Sequence, residues 1–381
     1  MVQDRERHWG VVAAAGAGVI AVCYGFARYA FGLFEPRFSG DFHLSGTGVG
    51  ILGGLSTLGY GIGLLVAPRL AVRSARRTTV LAGALAAAGV ALMAASGSVV
   101  LFGVGTVIAG SSAGLASPGV AQLVGERVGE GERSRAQTWA NTGTSFGLAA
   151  SAFLPLAVWS WRWTWAGFAV VAVVVTVVAG TLVGRSADRP RETAAQGSRW
   201  PDGATRLVAS SVILGAASAP YWNFSPARLS DAGISTVLAS LCWCAIGLAG
   251  PIGGMAGRLA ERRGLRWTVV CVWLVWTAGM ALLALPRPVF PVALLSTVLF
   301  GIAYMGLTGL CILWAGRLFE DVSRGVTLSF LGLAAGQTAA SPVAGALGDA
   351  VGLGPVFGGA ALASLVALLL LPREEARVAV G

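Results

Sequence analysis

The chain has 381 residues, 55% hydrophobic and only 12% charged, with a mean hydropathy of +0.74; soluble domains carry roughly 25% charge, so an ordinary soluble fold is excluded. All 27 basic residues are arginine, set against 17 acidic ones for a net charge of +10. Nucleic-acid binding would need that charge gathered on one face of a soluble fold, but here it sits between long apolar runs, where membrane topology explains it.

A membrane span takes about 20 mostly apolar residues, and twelve stretches qualify. In the first half they are 9–34, 47–67, 78–95, 99–124, 135–156 and 163–184. In the second half they are 206–229, 234–256, 267–285, 290–314, 325–347 and 354–371. The chain thus divides into a six-helix half over 1–184, a polar linker over 185–205, and a second six-helix half over 206–381. The first span is too long, and lacks the cleavage pattern, for a removable signal peptide. With the N-terminus inside, 22 arginines fall on the tails, the linker and the even-numbered loops, and four (Arg37, Arg162, Arg228, Arg287) on the opposite side. That bias predicts a multi-pass protein of the bacterial cell membrane with both termini and the linker cytoplasmic.

The halves are related by a repeat at an offset of 189. Residues 69–80, RLAVRSARRTTV, lie beside 258–269, RLAERRGLRWTV, with seven of twelve positions identical. Ser134, Arg135, Thr138, Gly143 and Gly147 pair with Ser323, Arg324, Thr327, Gly332 and Gly336 in the same way. Two related apolar halves point to a transporter built from repeats. Glycine pairs four apart, such as Gly50/Gly54 and Gly250/Gly254, let helix backbones approach closely in lipid. Two glycine stretches imitate the hydrolase pattern G-x-S-x-G around Ser112 and Ser145, but they lie inside apolar helices rather than at a strand–turn–helix. No enzyme activity is expected, and no cofactor or metal site: neighbours two apart, as in Cys242-Trp243-Cys244, do not share a helix face.

The segment Gly257-Arg258-Leu259-Ala260-Glu261-Arg262-Arg263-Gly264-Leu265-Arg266 resembles the G-x-L-A-D/E-R-x-G-x-R signature of the major facilitator superfamily. In the first copy, Val72 replaces the acidic residue, and Pro68 and Ala75 replace the glycines. Trp161-Arg162-Trp163 and the glycine spacing of span four are similar to the family too, although Thr106 stands where it usually has arginine. Gly25-Phe26-Ala27-Arg28-Tyr29-Ala30 resembles a branch of poorly characterised bacterial permeases. The resemblance implies an all-α membrane fold of twelve helices in two pseudo-symmetric halves, and alternating access without nucleotide hydrolysis. It also implies a gating role for Arg73, Arg77, Glu261, Arg262 and Arg266. Physically, such arginines resist crossing the bilayer and can pair with a carboxylate or a helix C-terminus in one state.

Polar groups inside spans point to function because lipid penalises them. Arg28 is the sole charge well inside a span. It either binds an anionic substrate group, closes a gate on a carboxylate, or snorkels to the surface. At the matching place in span seven, Pro220 and Pro226 bracket Tyr221, Trp222 and Asn223, and are expected to interrupt the helix and free carbonyls. Tyr24, Asn141, Tyr304 and Gln337 complete the candidate substrate pocket. The span centres hold no acid or histidine; Glu35 and Asp349, at the outer ends of spans one and eleven, are the candidates for proton coupling. The expectation is a monomeric secondary transporter of a small organic molecule, first an exporter, with protons as the candidate coupling ion. The alternatives are an uptake permease or exchanger for a small anionic metabolite, and a non-transporting membrane ligand sensor.

Overall fold

The computed structural model describes residues 2–153, 160–184 and 200–373. Most of the expected linker lies outside the described residues. Twelve long helices follow one another: α1 (Trp9–Phe42), α2 (Gly46–Arg73), α3 (Ala75–Ala95), α4 (Val99–Arg127), α5 (Glu130–Ser151), α6 (Trp161–Leu182), α7 (Ala204–Asp231), α8 (Thr236–Arg263), α9 (Leu265–Ala284), α10 (Phe290–Leu318), α11 (Val322–Val351) and α12 (Leu353–Leu370). Among the described residues there is no strand. Nine of these helices are long and apolar enough to cross a membrane; α5, α7 and α11 fall short on apolarity. They carry Asn141, Asn223 and Gln337, as helices that face a polar interior must. The ends are set by local chemistry. Ser45, Ser74, Ser98 and Ser235 each accept a bond from the first turn of α2, α3, α4 and α8, the usual way of satisfying orphan N–H groups.

Arginine closes several C-termini. Arg162 donates to the carbonyls of Ala94 and Ser96 at the end of α3, and Arg228 to Leu283, Leu285 and Pro286 at the end of α9. On the opposite face, Arg76 forks onto Gly180 at the end of α6 at 3.1 and 2.8 Å. A cation at a helix C-terminus answers both the dipole and the unpaired carbonyls. Two of the four arginines that run against the positive-inside pattern are therefore held by helix ends.

The halves meet along two seams, α2 with α11 and α5 with α8, and α1 touches α7 between them. On one face of α2, Gly46, Gly50, Gly54 and Gly61 abut α11; one and two turns beyond, Leu65 and Pro68 are exposed. On α5, Ser145 meets Gly247 and Gly250 of α8, and Asn141, one turn beyond, is exposed. Both seams are thus closed at the end remote from the α2–α3 and α8–α9 turns and part toward those turns.

The prolines of α7 do not break it: the helix runs unbroken from Ala204 to Asp231 with Pro220 and Pro226 inside. The carbonyl freed by Pro226 is covered by the neighbouring half instead. Pro226 deprives the Trp222 carbonyl of its helical N–H four residues on, and Gly32 of α1 lies directly on that oxygen, where any Cβ would collide. Pro342 does the same to Thr338, whose oxygen would lie 2.9 Å from a Cβ on Gly54 of α2.

Candidate substrate site

The centre of the molecule is built on a departure from α-helical geometry. Residues Ala21–Tyr29 of α1 form a π-helix, with the Ala30 N–H bonded to the Gly25 carbonyl. Such turns are rare and gather at functional sites. The wider turn brings Tyr24 and Tyr29, five apart, to a ring separation of 6.0 Å, with Arg28 beside them.

Arg28 is 5% exposed. Its guanidinium lies 4.0 Å from the Tyr60 ring centre and 5.0 Å from that of Tyr29. It donates to the Tyr29 hydroxyl at 3.3 Å and to Gln337 Oε1 at 3.1 Å. Tyr29 stacks on Trp222 at 4.1 Å, and its hydroxyl shares a hydrogen bond with that of Tyr304 at 3.3 Å. Trp222 meets the Tyr304 ring edge-on at 5.1 Å. Tyr24 shares a bond with Ser117 at 3.0 Å. Asn223 donates to Ser341 at 2.9 Å, and Ser341 in turn to the Gln337 carbonyl at 2.7 Å. Cation–π contacts and neutral acceptors solvate the guanidinium, but no carboxylate among the described residues pairs with it. Two polar atoms here are buried without a hydrogen-bond partner, Trp222 Nε1 and Ser56 Oγ. Arg28, Tyr29, Ser56, Thr57, Trp222, Asn223 and Gln337 line a small cavity with room for about one water.

Of the predicted substrate residues, Arg28, Tyr24, Trp222, Asn223, Tyr304 and Gln337 come together here. Tyr221 does not: it points into the second half, stacked on Phe300 at 3.7 Å and bonded to Ser296 at 2.9 Å. The step of about 100° between successive residues of a continuous helix turns the Tyr221 ring away from Arg28, between Phe300 and Phe357. Asn141 sits where the α5–α8 seam parts, accepting from Gln137 one turn away. Tyr29 and Tyr60 belong to the cage although the sequence did not single them out as site residues. The signal was composition: the chain has five tyrosines, and four of them surround Arg28.

The two candidate coupling acids differ sharply. Glu35, 6% exposed, is buried where α1 meets α7 near Asp231, and its Oε2 has no partner. Asp349 is exposed, beyond the end of the eleventh predicted span. It accepts the Gly46 N–H at 2.7 Å, the Thr47 N–H at 2.9 Å and the Thr47 hydroxyl at 2.7 Å. A carboxylate of the second half thus caps the N-terminus of α2 in the first, and these donors hold its pKa below the usual carboxylate value. The signature turns lie at the opposite end. Arg73, Arg77, Glu261, Arg262 and Arg266 are all exposed there, and Glu261 makes no hydrogen bond or ion pair among the described residues.

Comparison with known proteins agrees with this architecture. Residues 17–256 match the family model described as Major Facilitator Superfamily. No curated protein matches the chain in sequence. Among solved structures, a point mutant of a nucleoside transporter, NupG, is similar at 11% identity and a TM-score of 0.76, over 94% of this chain and 98% of that one. A D-xylose-proton symporter is similar at 16% identity and a TM-score of 0.75, over 96% and 98%. A bacterial homolog of the human lysosomal transporter Spinster, inward-facing and occupied, is similar at 14% and 0.71, over 95% and 96%. At such identities the likeness concerns the fold.

Proposed function

Because the chain belongs to the major facilitator superfamily, we propose that it is an alternating-access secondary transporter whose substrate is a small organic anion held at Arg28. The observation that carries this is the buried guanidinium solvated only by tyrosines and an amide. Desolvating a charge costs several kcal/mol unless a counter-charge recovers it, and no carboxylate on the described chain supplies one. Trp222 Nε1 is a buried donor without an acceptor, in the wall of the same cavity. The substrate brings the acceptors. A cage of aromatic faces also suits the apolar body of an organic acid.

With the arginine-rich face in the cytoplasm of a bacterium, the parted seams open inward and the closed ends face outward. A monomer suffices, since the cage is complete within one chain. We place export first, as the sequence resemblance suggests, and uptake or exchange of an anionic metabolite second. For coupling we propose Glu35 alone. Its carboxyl is buried between α1 and α7 with one oxygen unpartnered, whereas Asp349 is already satisfied by three donors.

Inside-out and right-side-out vesicles, each with and without an imposed pH gradient, test these statements together. Accumulation of small carboxylates in inside-out vesicles, lost in Arg28→Ala, is the expected result. Accumulation only in right-side-out vesicles would reverse the direction. Binding without flux in either would leave a sensor. Glu35→Gln should abolish gradient-driven accumulation and spare downhill exchange, and Asp349→Asn should leave coupling intact.

A further inference from the structure

We propose that Gln337 is the substrate's stand-in: in the empty carrier its Oε1 holds the place on Arg28 that a carboxylate oxygen takes on binding. The proposal rests on the anion reading above and adds how the site behaves when vacant. Arg28 belongs to α1 and Gln337 to α11, so their 3.1 Å bond crosses between the halves. Gln337 is 3% exposed and firmly placed. Its helix packs so tightly on α7 that a Cβ on Gly215 would come within 2.9 Å of the Gln337 backbone nitrogen. Its carbonyl is engaged by Ser341, itself bonded to Asn223.

A guanidinium offers five N–H donors in a planar fork. The protein answers with two acceptors, the Tyr29 hydroxyl and the Gln337 amide, and both are neutral. Hydrogen bonds between two ions are roughly twice as strong as neutral ones, so an incoming carboxylate displaces the amide. When the anion leaves, the amide returns. Without it, the vacant carrier would have to close over a guanidinium short of acceptors. Gln337 therefore lets the empty carrier change sides, which separates net transport from obligatory exchange. A glutamate at the same position would be a tethered substrate that never leaves.

The test uses the full chain in proteoliposomes, with acetate, lactate, benzoate and succinate as probes and a melting curve for every variant. Flux into empty vesicles reads net transport; flux into vesicles loaded with the same acid reads exchange. Gln337→Ala is expected to slow net flux at least about 10-fold more than it slows exchange, because the vacant carrier alone depends on the amide as an acceptor for Arg28. Gln337→Glu is expected to abolish both fluxes and the melting shift produced by the acids, while melting cooperatively on its own. Equal losses in net flux and exchange for Gln337→Ala would overturn the proposal, as would acid binding by Gln337→Glu at the affinity of the unsubstituted protein. If the unsubstituted protein neither binds nor carries any of the four acids, the anion reading itself falls and takes this proposal with it, a result told apart by its absence of any baseline.

Discussion

The two halves repeat one unit, yet α1 and α7, which occupy equivalent places, contribute opposite things to the centre. α1 supplies the charge, on a π-helical turn that gathers Tyr24, Arg28 and Tyr29. α7 supplies no charge there; it gives Trp222 and Asn223 from a continuous helix that carries two prolines. The first half thus holds the guanidinium and one acceptor, the Tyr29 hydroxyl, and the second half adds the other, Gln337. Duplication set the scaffold, and divergence made the site asymmetric. A symmetric site would bury two like charges; this one needs a partner from outside.

The largest effect that can break the comparison comes from α1. Arg28→Ala should reduce transport by about 100-fold or more, with membrane insertion unchanged, because the substrate loses its counter-charge. Arg28→Lys should recover little, since an ammonium keeps the charge but not the planar fork. Full activity in the lysine variant with mild loss in alanine would move Arg28 to the lipid interface and dissolve the asymmetry. Next comes the contact between α1 and α7. Gly32→Leu places a side chain on the Trp222 carbonyl and should prevent the remote end from closing; cysteine accessibility at that end should rise and transport should fall by about 10-fold, in the manner of an overpacked interface.

Much of this was legible beforehand. Span number, the duplicated plan and the arginine asymmetry follow from hydropathy and spacing, because lipid leaves the chain few options. Arg28 stood out for the same reason. What sequence could not give was facing. Tyr221 and Trp222 are adjacent, and only the position of α10 decides that Tyr221 stacks on Phe300 while Trp222 reaches Tyr304. Pro226 looked like a helix breaker because Gly32, which covers the carbonyl it frees, lies in the other half, far away in sequence. Tyr60 was hidden in a glycine-rich stretch whose backbone role was more conspicuous than its one ring.

The signature turns sharpen the comparison more gently. The second copy keeps Glu261 and the first has Val72, so Arg262→Glu should lower transport several-fold, on the order of a lost exposed charge pair or helix-end contact, and Arg73→Glu should lower it less. Equal losses in a flux assay would mean that the two turns act alike. The smallest effect is expected at the opposite end. Because its donors depress the Asp349 pKa, its grip on α2 is complete above the ordinary carboxylate range and fades as the medium is acidified through the lowered value. Asp349→Asn should reproduce that acid state at neutral pH, seen as a modest rise in labelling of a cysteine introduced at Thr47.

The glycines that lie on proline-freed carbonyls have a mechanical consequence. At Gly32 on Trp222, and at Gly54 on Thr338, the nearest atom across the interface is a backbone carbonyl oxygen. Cα–H contacts to carbonyl oxygen are worth about 0.5–1 kcal/mol each, and no ion has to shed or regain water when they part. Such a surface can peel open one small step after another instead of yielding at a single threshold. That stretch of the interface behaves like a zipper with weak teeth, quick to run in either direction and indifferent to ionic strength.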